Sequence, residues 1–326
     1  MHVPSTHAAI LPQERALSRA LELIRAGEPV AIPTETVYGL AADATNGAAV
    51  ARIFEAKRRP RFNPLIAHVS GLAMAERFGV FDPLSQKLAD AFWPGPLTLV
   101  VPHREESRVH ALVSAGLPTL ALRAPRGFAQ TLIAELDRPL AAPSANSSGR
   151  VSATSAGEVA ADLGTRIPLV VDGGRTPIGL ESTIVKVEDG ELILLRPGGI
   201  ASDDIERVAG RRLRRTHGGA VQAPGMLASH YAPHAHLRLD ATSVDEGEAL
   251  LAFGRQHIAG RPFATANLSP SGDLREAAAN LFAMMHQLDA SGASTIAVMP
   301  IPMTGLGEAI NDRLARAAAP RGAQDG

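Results

Sequence analysis

The segment Val30 Ala31 Ile32 Pro33 Thr34 Glu35 Thr36 Val37 Tyr38 decides the fold class, because a short apolar run passes directly into a polar stretch. The apolar run predicts a strand, and the amphipathic pattern from Glu14 to Ala26 predicts a helix just before it. Polar residues therefore follow the carboxyl end of a strand. Open α/β sheets bind ligands at such edges, so this segment is a candidate site.

The residues that follow alternate between helical and strand patterns as far as about residue 209, which indicates one α/β domain. Further strands are predicted at residues 65–69, 97–101, 119–123, 140–142 and 169–171. Residues 183–187 and 192–196 are predicted to form a hairpin around Glu188 Asp189 Gly190, since Asp-Gly favours a tight reversal. A short helix is predicted from Asp203 to Ala209.

The composition changes between Gly210 and Pro233, where arginines are followed by glycines and prolines without helical or strand periodicity. This stretch is predicted to be a linker, and a solvated tether is favoured over a tRNA contact for its basic run. A second, smaller α/β unit is predicted beyond it. Its strands are expected at residues 250–253, 263–267 and 296–299, and its helices at 274–288 and 307–318.

The overall composition limits the class of protein. A length of 326 residues favours two domains, and 32 basic against 33 acidic residues leave no global attraction to nucleic acid. The absence of cysteine excludes disulfides, thiolate nucleophiles and cysteine-ligated metals. No secretory leader and no run of roughly 20 apolar residues is found, so we expect a cytoplasmic protein without a membrane partner.

The common nucleotide and nucleophile motifs are missing. No Walker A sequence occurs, and the pair Gly305 and Gly307 has Ile310 where a Rossmann fingerprint needs glycine. No serine lies in a nucleophile elbow. The cluster His230, His234 and His236 is predicted to be a polar loop, and no metal site is predicted.

Two polar loops suggest an anion pocket instead. Residues 57–64, Lys-Arg-Arg-Pro-Arg-Phe-Asn-Pro, supply ammonium, guanidinium and carboxamide donors. Residues 143–149, Pro-Ser-Ala-Asn-Ser-Ser-Gly, supply hydroxyls and an amide where small residues let a ligand approach the backbone. Together they predict one pocket suited to a nucleoside triphosphate.

The motifs resemble the YrdC-like family in order and spacing. They are residues 33–40, 57–64, 94–98, 122–125, 143–149, 181–184 and 195–198. Residues 223–226, 230–233 and 305–314 resemble the long form of the family, which carries an extra C-terminal domain. The chain departs from the family pattern at Val151, where proline is usual, and at Asn311 Asp312 Arg313, where Met, Asn and Arg are expected.

The resemblance implies a fold and an activity. The expected fold is α/β: a twisted YrdC-like sheet domain with a concave cavity in residues 1–210, a linker in 211–235, and a Rossmann-like domain in 236–326. The implied activity is that of an L-threonylcarbamoyladenylate synthase, a nucleotidyltransferase. It converts L-threonine, bicarbonate or CO2, and ATP with Mg²⁺ into threonylcarbamoyl-AMP and pyrophosphate. The product serves t6A modification through a downstream tRNA threonylcarbamoyltransferase machinery, without stable tRNA binding by this chain.

Candidate site residues follow from that reaction and from the family positions. The guanidinium of Arg123 has two parallel donors, which suits it to bind the threonine carboxylate. The charge of the triphosphate must be neutralised by fixed cations. The threonine-binding candidates are Thr36, His68, Arg123, Ser144 and Ser182. The ATP-binding candidates are Lys57, Arg59, Asn63, Thr119, Asn146, Thr154, Arg196 and Tyr231, of which Lys57 and Arg59 are also the catalytic candidates. Because positioning and charge suffice, no covalent nucleophile is needed.

Other readings stay open on sequence grounds. Taken singly, Arg123 or Arg196 could form a surface ion pair, the polar segment 34–36 could cap a turn, and His68 could be a core histidine. The cavity could bind RNA, although 4% aromatic residues disfavour stacking. The chain could also be a carbamoyltransferase-associated module, like the related domain of hydrogenase maturation proteins.

Overall fold

A twisted sheet dominates the first part of the molecule. The computed structural model describes residues 7–215, 222–225 and 230–320. The strands are β1 Ala9–Pro12, β2 Val30–Ile32, β3 Gly39–Asp43, β4 Ile66–His68, β5 Leu97–Pro102, β6 Thr119–Arg123, β7 Leu140–Ala141, β8 Leu169–Asp172, β9 Thr183–Glu188, β10 Glu191–Arg196 and β11 Leu213–Arg215. They form one sheet in the order β1-β8-β2-β3-β7-β4-β6-β5-β9-β10-β11, with parallel and antiparallel pairs.

Helices cover this sheet and bury their apolar faces on it. They are α1 Gln13–Arg25, α2 Gly47–Lys57, α3 Leu72–Ala75, α4 Pro83–Phe92, α5 Ala111–Ser114, α6 Phe128–Leu136, α7 Ala156–Leu163 and α8 Ser202–Ala209. The start of α2 is capped by Asn46, whose side chain accepts from the Ala48 and Ala49 amides. Within the described ranges, no helix combines the length and the apolar character needed to cross a membrane.

A second sheet follows in the C-terminal part. Its elements are β12 His236–Arg238, β13 Ala249–Ala252, β14 Thr265–Asn267, α9 Leu274–Asp289, β15 Thr295–Val298 and α10 Gly307–Ala318. The four strands are all parallel, in the order β12-β15-β13-β14. This is the Rossmann-like arrangement expected from the resemblance, and together with the first sheet it confirms the predicted fold class.

The structure differs from the sequence prediction at the start of the expected linker. Leu213, Arg214 and Arg215 pair in parallel with β10 as an edge strand, although the sequence there showed no strand periodicity. Only Leu213 of the three is buried, and three residues are too few to show alternation. Other predicted linker residues, including Gly218, Gly219 and Met226, lie outside the described residues.

One apolar cluster joins the two parts of the molecule. Val37, Val151 and Leu180 of the first part pack in the same cluster as Phe282 of α9 and Ile310 of α10. Phe282 and Ile310 are fully buried, and burying a side chain of this size stabilises the fold by about 1.5–3 kcal/mol. The C-terminal sheet and helices are therefore held against the first sheet by a shared core.

Strand register brings several candidate residues to one end of the sheet. In the parallel pair β4 and β6, His68 lies opposite Arg123. In the antiparallel pair β2 and β3, Ile32 lies opposite Gly39, so residues 33–38 form the connection between the two strands. A concave site forms where these ends meet, as the polar segment after β2 predicted.

Candidate active site

A small cavity lies where the first sheet, the loop after β7 and the linker meet, and it has a volume of about 50 Å³. It is lined by Thr34, Thr36, Val37, Gly39, Arg59, Ile66, His68, Arg123, Ala142, Pro143, Ser144, Glu181, Ser182, Arg196, Pro224, Gly225, His230 and Tyr231. The lining includes every threonine-binding candidate, namely Thr36, His68, Arg123, Ser144 and Ser182.

The two predicted loops do come together, and Lys57 joins them. Its ammonium donates to the carbonyl oxygens of Ser144, at 2.6 Å, and of Asn146. The Ser148 amide donates back to the Lys57 carbonyl at 2.8 Å. Lys57 is 1% exposed, and burial, followed by the nearby charge of Arg59, lowers its pKa well below the usual value.

The other two cationic candidates lie in the cavity wall. Arg59 donates through Nη2 to the Pro64 carbonyl at 2.9 Å, and burial lowers its pKa to about 10. Arg196 donates through Nη2 to the Ser182 carbonyl at 2.9 Å, and burial lowers its pKa too. Neither arginine has a carboxylate within ion-pair distance among the described residues, and the same is true of Lys57.

This absence is unusual for buried charges. Taking a cation out of water costs several kcal/mol, and buried charges are normally paired. Arg59 and Arg196 in the cavity wall, with Lys57 in the adjoining loop, therefore favour a polyanion, and phosphate oxygens would supply the counter-charge that no carboxylate of the described residues gives.

A second group of candidates surrounds Arg123. Its Nη2 lies 2.8 Å from Glu35 Oε1, which is ion-pair distance, although the two atoms lack hydrogen-bond geometry. Its Nε donates to the Gly95 carbonyl at 3.2 Å. His68 Nδ1 is buried and finds no hydrogen-bond partner in the described ranges. Burial, followed by the charge of Arg123, lowers the His68 pKa to about 3. A neutral imidazole beside a guanidinium fits an amino-acid site.

Hydroxyl groups complete this part of the wall. Ser182 Oγ lies 2.7 Å from Thr98 Oγ1 and accepts from Arg196 Nη2 at 3.3 Å. Thr36 Oγ1 lies 2.8 Å from Thr34 Oγ1, which donates to the Val37 carbonyl. These fixed hydroxyls can orient a ligand without adding charge.

Five ATP-binding candidates lie outside the cavity lining, and Lys57, described above, is one of them. Asn63 is fully buried and its side-chain amide has no hydrogen-bond partner among the described residues, whereas the side-chain nitrogen of Asn146 donates to the Ser147 and Arg150 carbonyls. Thr154 is held by the Glu158 carboxylate, which accepts from its amide at 2.6 Å. Thr119 is the first residue of β6 and pairs with Pro102, four residues before Arg123 on the same strand. The structure therefore does not bring these side chains to the cavity.

The linker closes the cavity through Tyr231. This side chain is 1% exposed, and its hydroxyl has no hydrogen-bond partner among the described residues. Its backbone φ is 63°, a left-handed value that is rare for aromatic residues. The ring of His230 packs edge-on at 4.1 Å between centroids. Burial lowers the His230 pKa to about 3 and raises that of Tyr231.

Sequence reasoning missed the acidic and C-terminal members of the site. Glu35 and Glu181 lie within motifs that were recognised, but neither was assigned a role. Glu35 pairs with Arg123, and Glu181 pairs with Arg313 of α10. For both acids a signal was available, because each stands directly before a candidate ligand contact, Thr36 or Ser182. The sequence contained no signal that Arg313 contacts this site.

A larger cavity lies elsewhere. It measures about 590 Å³ and lies between β10 and the segments that follow β12 and β15, with Leu239, Met299 and Leu314 in its wall. None of the predicted site residues lines it, and its two arginines, Arg215 and Arg316, both have carboxylate partners. The smaller cavity is lined by Arg59 and Arg196, which have no carboxylate partner among the described residues, and it is therefore the better candidate.

The fold and the site define a two-domain α/β protein with a small cavity lined by buried arginines. Comparison with known families agrees with this class. The family model for Sua5, YciO and YrdC proteins, described as Telomere recombination, matches residues 22–198. The model described as Threonylcarbamoyl-AMP synthase, C-terminal domain, matches residues 200–319. The chain belongs to the Sua5, YciO and YrdC family, in its long form, which confirms the resemblance seen in the motifs.

Individual relatives are similar over nearly the whole chain. A threonylcarbamoyl-AMP synthase of Pyrococcus abyssi is 40% identical, over 94% of this chain and 94% of its own length. A threonylcarbamoyl-AMP synthase of Bacillus subtilis is 38% identical, over 94% of this chain and 93% of its own length. The crystal structure of P. abyssi Sua5 complexed with L-threonine superposes with a TM-score of 0.87 at 36% identity, covering 95% of this chain and 98% of that one.

Proposed function

We propose that this chain is a threonylcarbamoyl-AMP synthase, a nucleotidyltransferase that joins L-threonine, bicarbonate or CO2, and ATP. The observation that carries the proposal is the set of three buried cations, Lys57, Arg59 and Arg196, with no carboxylate partner among the described residues. A triphosphate supplies the counter-charge that this set lacks. The relatives that share most of the chain are named for the same activity.

The amino acid belongs in the part of the cavity around Arg123. Its guanidinium would take the threonine carboxylate, and Ser182, Ser144 and Thr36 would bond its polar groups. The neutral His68 leaves the amine without a neighbouring cationic imidazole, so the amine is not repelled from the site. A P. abyssi relative has been crystallised with L-threonine, which is consistent with this assignment.

The reaction balances without a covalent enzyme intermediate. The threonine amine combines with bicarbonate to give a carbamate and water. A carbamate oxygen then attacks the α-phosphorus of ATP, and the bond to the β-phosphate oxygen breaks to release pyrophosphate. Arg59 and Arg196 would stabilise the charge on the phosphates, and bringing the reactants together can lower the barrier by about 7–11 kcal/mol.

Mg²⁺ is proposed as a companion of ATP and not as a resident of the protein. Glu181, which lines the cavity, is already paired with Arg313, and Glu35, which lies beside the cavity, is paired with Arg123. Mg²⁺ commonly keeps several waters and binds phosphate oxygens, so it would travel with the triphosphate and offset its charge. The residues present here would then bind the phosphates and not the metal.

The product implies a place in tRNA modification. An acyl adenylate of this kind is an activated donor, so a separate transferase must consume it. We propose that the downstream machinery transfers the threonylcarbamoyl group to tRNA to form t6A in the cytoplasm, without stable tRNA binding by this chain.

The decisive test is pyrophosphate release from ATP and Mg²⁺, with L-threonine and bicarbonate each added or omitted, and with mass detection of the nucleotide product. Release that requires both, with threonylcarbamoyl-AMP present, supports the proposal. Release with other amino acids would overturn the substrate, and no release under any combination would favour RNA binding or carbamoyl transfer.

A further inference from the structure

Arg313 reaches from the C-terminal domain to two residues in the wall of the candidate active site, Glu181 and Tyr231. It lies on α10 and is completely buried. Its Nε donates to Glu181 Oε2 at 2.8 Å, and its Nη2 donates to the Pro197 carbonyl at 3.0 Å. Its Nη1 donates to Asp312 Oδ2 at 2.6 Å. All three nitrogens of the guanidinium are therefore engaged, two of them with the first domain.

Glu181 is the first partner that Arg313 holds. Its other oxygen, Oε1, accepts from Ser152 Oγ at 2.6 Å, so both carboxylate oxygens are fixed. Glu181 lines the cavity directly before Ser182, a threonine-binding candidate. Arg313 and then Arg196 offset the effect of burial and hold the pKa of Glu181 at about 2, so the carboxylate is charged.

Tyr231 is the second partner. The Arg313 Cζ atom lies 5.0 Å from the centroid of the Tyr231 ring, which is cation–π distance. Phe282 of α9 stacks with the same ring at 5.5 Å and 24°. Two residues of the C-terminal domain thus hold the aromatic side chain that closes the cavity.

The position held in this way is close to the phosphate-binding candidates. A Cβ atom built at Gly225 would lie 2.9 Å from Tyr231 Oη and 3.0 Å from Arg196 Nη1, so both groups face the same small space. Within the part of the chain that the structure describes, the Tyr231 hydroxyl is buried there without a hydrogen-bond partner. A displacement of the ring would therefore change the wall beside Arg196.

We propose that Arg313 is a positioning residue through which the C-terminal domain sets Glu181 and Tyr231 for the synthase reaction. This inference rests on the proposed function. The planar guanidinium can bridge Glu181, the Pro197 carbonyl and the Tyr231 ring at once, whereas a lysine ammonium is a single point charge on a flexible stem. The role thus requires arginine and not merely a positive charge.

The test uses the full-length chain with Arg313→Met, Arg313→Lys, Glu181→Gln and, as a matched control, Arg275→Met. Arg275 is an exposed arginine on α9. We expect kcat for pyrophosphate release to fall about 30-fold in Arg313→Met and at least 10-fold in Arg313→Lys. The control should match the wild type. Wild-type kinetics in a folded Arg313→Lys variant would overturn the proposal. If Arg313→Met does not fold, the Arg313→Lys variant alone decides the test.

A double variant separates positioning from an independent structural effect. Arg313→Met and Glu181→Gln break the same contact, so the combined loss of kcat/KM should be much smaller than the product of the two single losses. Losses that multiply would show that the two residues act separately and would overturn the coupling.

A spectroscopic measurement tests the positioning without relying on turnover. The chain has two tyrosines, so 3-fluorotyrosine labelling gives two ¹⁹F resonances, and Tyr231→Phe assigns them. The Tyr231 resonance should shift in Arg313→Lys and stay unchanged in Arg275→Met. An unchanged resonance in Arg313→Lys would overturn the inference. A wild-type chain that makes no threonylcarbamoyl-AMP would overturn the proposed function, and the ¹⁹F result would then decide the positioning alone.

Discussion

The Lys57 ammonium donates a hydrogen bond to the Ser144 carbonyl oxygen at 2.6 Å, which ties the end of α2 to the loop after β7. The sequence suggested that Lys57 would face a phosphate directly. In the structure it does not line the cavity, and its ammonium holds in place the loop that carries Ser144 and Asn146. Lys57 therefore affects the shape of the site through this loop.

We expect Lys57→Met to lower the rate of pyrophosphate release at least 100-fold, because the site loses a cation and two backbone carbonyls lose their donor. The variant should stay folded, since removing a buried charge offsets part of the lost hydrogen bonding. Steady-state kinetics and thermal unfolding check this. Lys87→Met, an exposed lysine on α4, is the control, and near-normal turnover in Lys57→Met would remove Lys57 from the catalytic set.

Arg196 provides a test of the unpaired cations. Arg196→Met should abolish the rise in melting temperature that ATP and Mg²⁺ produce, which corresponds to about 2.7 kcal/mol at a hundredfold excess over Kd. Without ATP, the variant should be at least as stable as the wild type, because an unpaired buried charge has been removed. Arg104→Met, an exposed arginine, should keep the ATP response. An undiminished response in Arg196→Met would contradict the phosphate assignment.

The threonine site can be tested without nucleotide. Arg123→Lys should weaken L-threonine binding about 10- to 100-fold, because an ammonium cannot present two parallel donors to a carboxylate. Calorimetric titration measures this directly. Arg108→Lys, at an exposed position, should bind like the wild type. Equal affinity in Arg123→Lys would place the threonine carboxylate elsewhere.

Two buried histidines, His68 and His230, should make the free energy of unfolding depend on pH. Burial lowers the pKa values of His68 and His230 to about 3 in the folded chain, against about 6.5 when unfolded. Between these values the unfolded chain binds more protons, so the free energy of unfolding falls as the pH decreases from about 6.5 towards 3. Each histidine contributes up to about 1.4 kcal/mol per pH unit in that window.

Chemical unfolding at pH 7, 6 and 5 checks this slope. The double variant His68→Asn and His230→Phe should lose less stability between pH 7 and 5 than the wild type, whereas His257→Asn, at an exposed position, should not differ. Glu181 is present in both chains, and the stability that its lowered pKa provides is lost mainly below its unfolded pKa of about 4.5, so it does not account for a difference between them. Equal slopes in wild type and double variant would show that the two histidines are not buried in their neutral form.

The order of the helices and strands could be read from the sequence because the signals are local. Thr119–Arg123 was predicted as a strand and is β6, and residues 307–318 were predicted as a helix and form α10. Hydrophobic periodicity and turn residues act over a few positions, so helices and strands can be predicted from them without knowledge of the fold. The edge strand Leu213–Arg215 was missed because its main partner is β10, some 20 residues away in sequence.

The sequence by itself determined the fold class, the family and the residue types that surround the cavity. Only the tertiary structure decided which of them face it. Thr119 and Arg123 share one strand, yet only Arg123 reaches the cavity, because they lie toward opposite ends of β6. Arg313 on α10 contacts Glu181, 132 positions away in sequence, because the shared apolar core packs α10 against the first domain. Contacts between segments so distant in sequence depend on how the whole chain packs, and no local sequence pattern predicts them.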